Sequence, residues 1–155
     1  VIAAGFVIRV VAGGLVIDVP ISSWLLICTT LLALLLAMGK RRHELVLLED
    51  KATNHRAILR EYSAYLLDQM ISVVTASTLI AYCLYTISAE TVAKFGTEHL
   101  IWTAAFVLYG IFRYLYLIHQ KGKGGSPEEM ILQDRPLLLN IVLWIAAVVL
   151  IIYLQ

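Results

Sequence analysis

The sequence predicts an all-α, polytopic membrane helical bundle with five transmembrane helices. Three observations predict it. The chain is 61% hydrophobic and only 15% charged, with a mean hydropathy of +0.85, a balance that suits several spans better than one soluble core. Its apolar residues fall into five runs, 1–17, 21–38, 65–87, 100–118 and 137–154, each near or above the roughly 20 residues that cross a hydrocarbon core. Its Lys and Arg residues gather in two of the connecting stretches.

The first run, 1–17, is short and carries Arg9 at its middle. It starts at Val1 with no basic n-region and no small-residue cleavage site, so it reads as a span in a piece of a longer protein and not as a signal peptide. Asp18-Val19-Pro20 is a tight turn with Pro placed to begin the next helix, which makes the first two spans a helical hairpin. The second run, Ile21 to Met38, holds no charged residue and stops at Gly39-Lys40-Arg41-Arg42-His43-Glu44-Leu45. Residues 40–63 form a loop patterned too regularly for a floppy linker. Leu45, Leu48, Ala52, and then Ala57, Ile58 and Leu59 recur at near-helical spacing, which predicts one or two surface helices.

The third and fourth runs, 65–87 and 100–118, are followed by the loop 119–135, which opens on Lys121-Gly122-Lys123-Gly124-Gly125. Ser126-Pro127-Glu128-Glu129 then supplies an N-cap, a Pro at the first helical position and a Glu at the third, predicting a short helix to about Gln133. Asp134-Arg135-Pro136 turns the chain into the last span, 137–154. Cys28 and Cys83 lie inside apolar runs without a second ligand at metal or redox spacing and read as inert small residues. No internal repeat is evident.

Five crossings place the loops alternately on two sides. Residues 40–63 and 119–135 hold nine Lys and Arg residues between them, whereas 18–20 and 88–99 hold one, Lys94. The positive-inside rule therefore puts the two basic loops in the cytoplasm.

Within those loops, Lys40 and Glu44 are four residues apart and share a helical face, with Arg41 and Arg42 beside them. A carboxylate among cations can hold a Mg²⁺ that bridges a diphosphate while Lys and Arg bind phosphate oxygens directly. Spacing alone leaves open a juxtamembrane anchor for acidic lipid headgroups, which needs only positive charge. His55-Arg56 and Arg60 lie on one side of a second helical stretch, either as a phosphate clamp or as a solvated face. Arg9 and Asp68 sit at depths where an unpaired charge costs several kcal/mol, so both are expected to look inward, as a structural pair or as a polar site wall. Arg113 reads as a snorkelling side chain, and Asp134-Arg135 either as a second wall of a cytoplasmic site or as a helix cap with an interfacial arginine.

Taken in order, Gly5-Phe6, Arg9, Ala12-Gly13, Trp24-Leu25, Gly39 to Leu45, His55-Arg56, Leu59, Tyr62-Ser63, Leu67-Asp68-Gln69-Met70, Arg113-Tyr114, Ser126-Pro127-Glu128-Glu129 and Asp134-Arg135-Pro136 resemble the UbiA superfamily of intramembrane prenyltransferases. The resemblance runs through nearly the whole chain, and the Lys-Arg-Arg-x-Glu-Leu and Ser-Pro-Glu-Glu…Asp-Arg-Pro strings point to its phosphoribosyltransferase branch. It implies a nine-helix bundle of which these spans are the last five. Gly39 to Leu45 then stands in the second polyanion-binding loop, where aromatic prenyltransferases carry Asp-x-x-x-Asp. This chain has Lys40-x-x-x-Glu44 instead, a change that implies fewer metal contacts there and more direct binding of phosphate.

By that resemblance the activity is transfer of ribose 5-phosphate from phosphoribosyl diphosphate to a polyprenyl phosphate lipid, with Mg²⁺ as cofactor and release of diphosphate. It takes place in a bacterial or archaeal plasma membrane. Lys40 and Glu44 become the catalytic residues, Glu44 a metal ligand, and Arg41, Arg42, Arg56, Arg60, Arg9, Asp134 and Arg135 the substrate-binding set. The family's Asn-Asp-x-x-Asp-x-x-x-Asp motif is not among these 155 residues and belongs to the half expected before Val1, so the chain alone is expected to be inactive. Two rivals remain. A UbiA-type prenyltransferase with an aromatic acceptor should show a second acidic pair in the 40–44 stretch, and a transporter or non-catalytic scaffold would need the cations only as an anchor. No nucleic-acid partner is expected, and oligomeric state leaves no signature.

Overall fold

The computed structural model of the chain describes residues 2–16, 22–51, 63–121 and 127–153. Arg56, Arg60, the 18–20 turn, the glycine-rich 122–125 stretch and Ser126 lie outside the described residues. The described ones form α1 (Ile2–Val16), α2 (Ser23–Lys51), α3 (Ala64–Ile87), α4 (Ala89–Phe95), α5 (Ala104–Gln120), α6 (Pro127–Gln133) and α7 (Arg135–Tyr153), with a 3₁₀ turn at His99–Thr103 leading into α5. No strand occurs among them.

Among the described residues four helices are long and apolar enough to cross a membrane: Ser23–Leu47, Ala64–Ile87, His99–Gln120 and Arg135–Tyr153. The expected fifth, 1–17, corresponds to α1, whose 15 described residues lie against α2 and fall short of the roughly 20 that span the hydrocarbon. Arg9 is exposed on α1 and not turned inward.

The second span does not end where its charges begin. α2 continues through the basic cluster for 29 residues in all, about 44 Å at 1.5 Å per residue. Lys, Arg, Glu and Leu are good helix formers, and the lone Gly39 weakens the helix without breaking it. Residues 40–51, where the spacing predicted a separate surface helix, are therefore helical as an unbroken extension of the span. The 88–99 connection is ordered too. Ser88 caps α4 through the Thr91 amide at 3.3 Å, and Gly96, at φ 71°, ends it.

The four long helices alternate in direction. Asp68 near the start of α3 meets both Arg42 of α2 and His119 at the end of α5, and Arg113 of α5 meets Asp134 just before α7. These groups define one basic end of the bundle. At the opposite end Ser22 donates to Glu90 of α4 at 3.1 Å. The buried core, Leu35, Ile71, Tyr114, Leu117, Ile118, Met130 and Leu137, draws on α2, α3, α5, α6 and α7, so the short α6 is seated by Met130 directly beneath the basic end.

Candidate anion-binding site

At the basic end α2 packs on α3, and one glycine of α2 admits a side chain from α5. A methyl group at Gly39 would fall on the buried Tyr114 hydroxyl, well inside contact distance. The absent side chain lets the tyrosine pack flat against α2. One residue on, Lys40 starts the cation run. Helical geometry puts Arg41 and Glu44 on one face, and they pair at 3.3 Å, both about half exposed. Lys40 shares a face with Glu44 as its spacing implies, yet the carboxylate is taken by Arg41. Among the described residues Lys40 forms no ion pair.

Arg42 points the other way, into the helix junction. Its Nε donates to Asp68 Oδ1, its Nη2 to Asp68 Oδ2 at 3.3 Å, and its Nη1 to the Ile118 carbonyl at 3.5 Å. The same Asp68 Oδ1 lies 3.1 Å from His119 Nε2, while His119 Nδ1 lies 2.9 Å from the Leu115 carbonyl. Asp68 was legible as an inward-looking charge, and its partner is Arg42 and not Arg9. His119 was missed. Its only signal was a polar residue in the last turn of a span, at the depth where Asp68 begins the third.

The second pair is Arg113 with Asp134, bidentate at 3.0 and 2.8 Å. Arg113, read as a snorkelling side chain, is instead fixed by this fork, and its guanidinium lies 5.1 Å from the Tyr116 ring centroid. Asp134 Oδ1 also accepts from the Leu137 amide at 3.0 Å, which makes it the N-cap of α7. Its bland and its functional readings thus share one carboxylate. Arg135 is exposed at the first turn of α7.

Below the charges lies an apolar cavity of about 530 Å³ running from Leu35, Tyr114 and Leu137 toward Leu25, Tyr85 and Trp144. Its polar side chains are largely engaged elsewhere. Trp144 donates to the Tyr82 hydroxyl at 3.0 Å, Tyr82 meets Thr103 at 2.7 Å, and Asn140 donates to the Phe106 carbonyl at 2.9 Å. Such a hollow suits hydrocarbon. For Mg²⁺ the donor set does not fit by itself: among the described residues no three His, Cys, Asp or Glu side chains converge, and Glu44 is a single carboxylate engaged by Arg41.

The described residues thus define an α-helical bundle of the membrane-spanning class, with a cation-rich end and an apolar hollow. Comparison with known proteins narrows the class. No family model matches the chain. It is 30% identical over 154 residues, 96% of its length, to the decaprenyl-phosphate phosphoribosyltransferase of Mycolicibacterium smegmatis. It is 28% identical over 148 residues to the enzyme so named from Mycobacterium tuberculosis, and 26% identical over 155 residues to that from Corynebacterium glutamicum. The chain is thus similar to these transferases over nearly its whole length, a likeness consistent with a UbiA-type relative. It spans about half the length of the curated relatives it matches, 46 to 48%.

Proposed function

We propose that this chain forms the C-terminal part of a polyprenyl-phosphate phosphoribosyltransferase, which moves 5-phosphoribose from phosphoribosyl diphosphate to a polyprenyl phosphate and releases diphosphate. The observation that carries the proposal is the continuation of α2 as one helix from the wall of the apolar hollow, at Leu35 and Leu36, into Lys40, Arg41 and Arg42. The relatives' printed name supports the same chemistry. In this reading the basic end lies in the cytoplasm and the isoprenoid chain lies in the cavity. The lipid phosphate oxygen attacks the anomeric carbon of the ribose as the bond from that carbon to the diphosphate breaks.

Lys40 and Arg41 then bind the diphosphate and stabilise the negative charge that grows on it as it leaves. Arg42, held at an angle by Asp68, offers directional donors to a phosphate oxygen. Glu44 pairs with Arg41, Arg135 adds an exposed cation at the start of α7, and Arg9, Arg56 and Arg60 belong to the proposed substrate-binding set on the family resemblance alone. Mg²⁺ dependence is part of the proposal; Glu44 would give one carboxylate ligand, and the others would come from residues outside those described. The chain alone is expected to be inactive, because the family's Asp-rich motif does not occur in it.

The test uses membranes containing the full-length protein, labelled phosphoribosyl diphosphate and a polyprenyl phosphate. Label should pass into the lipid phase and depend on both substrates. Label that stays aqueous at any enzyme concentration contradicts the assignment and favours a scaffold or transporter.

A further inference from the structure

We infer that Asp68 is a positioning residue whose carboxylate holds Arg42 and His119 together as a preorganised edge for a substrate phosphate. The inference rests on the proposed reaction only for the identity of the phosphate. The geometry comes from three helices: Asp68 on α3 receives two donors from Arg42 on α2 and faces His119 on α5. A guanidinium has five N–H donors in a fixed fork. Two are spent on Asp68 and one on the Ile118 carbonyl, which leaves one on each terminal nitrogen.

The three side chains are not sealed off, as the Arg42 side chain is 17% exposed, Asp68 35% and His119 32%. Arg42 directly follows Lys40 and Arg41 along α2. An arginine whose orientation is fixed before ligand arrives loses less freedom on binding, and its remaining donors keep one direction. A carboxylate kept solely to tie helices together would have no need to leave the fork reachable. The ring of His119, held at both nitrogens between Asp68 and the Leu115 carbonyl, closes the other side of the same edge.

Asp68→Asn in the full-length protein keeps the size of the side chain and removes the charge that holds both partners. Its KM for phosphoribosyl diphosphate or for polyprenyl phosphate should rise by the order of tenfold, the size of effect seen when a group that orients a ligating side chain is lost. The kcat should change less, and Asp68→Glu should recover part of the loss. Whichever substrate shows the rise identifies the phosphate that Arg42 meets.

Affinity for inorganic diphosphate, measured calorimetrically on the purified protein, should fall in parallel if that phosphate belongs to the donor. Arg42→Lys keeps the charge but not the fork and should behave like Asp68→Asn, which keeps the inference testable if the latter does not accumulate. Unchanged KM for both substrates in either variant, with a lowered unfolding temperature, would reduce the cluster to a helix tie and overturn the inference. A wild-type protein that makes no product yet binds diphosphate in an Asp68-dependent way would contradict the reaction and leave the positioning role standing.

Discussion

Gly39 and Asp134 carry more of the architecture than their sizes suggest. A Cβ at Gly39 collides with the buried Tyr114 hydroxyl, so Gly39→Ala must displace the Tyr114 ring from its packed position. Overpacking of this kind costs about 1–3 kcal/mol, seen as a lower unfolding temperature of the full-length protein in detergent. The Tyr114 hydroxyl is buried without a hydrogen-bond partner among the described residues, so removing it costs little and makes room. The double variant Gly39→Ala, Tyr114→Phe should accordingly be more stable than Gly39→Ala alone; equal loss would show that the collision does not govern the packing. Asp134→Ala should lose the cap on the Leu137 amide, about 1 kcal/mol, and strand Arg113 as well. Asp134→Asn keeps an acceptor for the cap and should be the milder change by the same thermal assay.

Among the helices, α2 makes the strongest claim, because its continuity through residue 51 sets the direction of every cation on it. One alanine inserted between Met38 and Gly39 would turn everything beyond it by about 100°, carrying Arg42 away from Asp68. Transfer activity should collapse, while the same insertion in the 122–125 stretch should be tolerated far better; equal tolerance at both places would contradict a rigid arm. Periodicity and capping made much of this legible. The third and last spans, read as 65–87 and 137–154, are α3 at Ala64–Ile87 and α7 at Arg135–Tyr153, and the capping-box residues begin α6 at Pro127. What hydropathy concealed was the run-on of α2, since a helix entering water loses its apolar signal without losing its hydrogen bonds. The Arg42–Asp68–His119 cluster was hidden for a different reason: its members come from three helices, and no local spacing relates them.

For the molecule as a whole, the alternating helices place Lys121 and the 40–44 run at one end and Lys94 at the other. In a variant lacking Cys28 and Cys83, Lys121→Cys and Lys94→Cys should react with a membrane-impermeant thiol reagent from opposite faces, with Lys121 on the cytoplasmic one. Labelling of both from one face would refute the topology. The central claim is that the helical cations over the apolar hollow serve phosphoribosyl transfer. Its most direct measurement is turnover of labelled phosphoribosyl diphosphate onto polyprenyl phosphate by full-length Lys40→Ala, Glu44→Ala and Arg56→Ala proteins at matched membrane levels. Each should fall at least tenfold, the loss expected when a donor to developing charge is removed; turnover equal to wild type in all three would contradict that role.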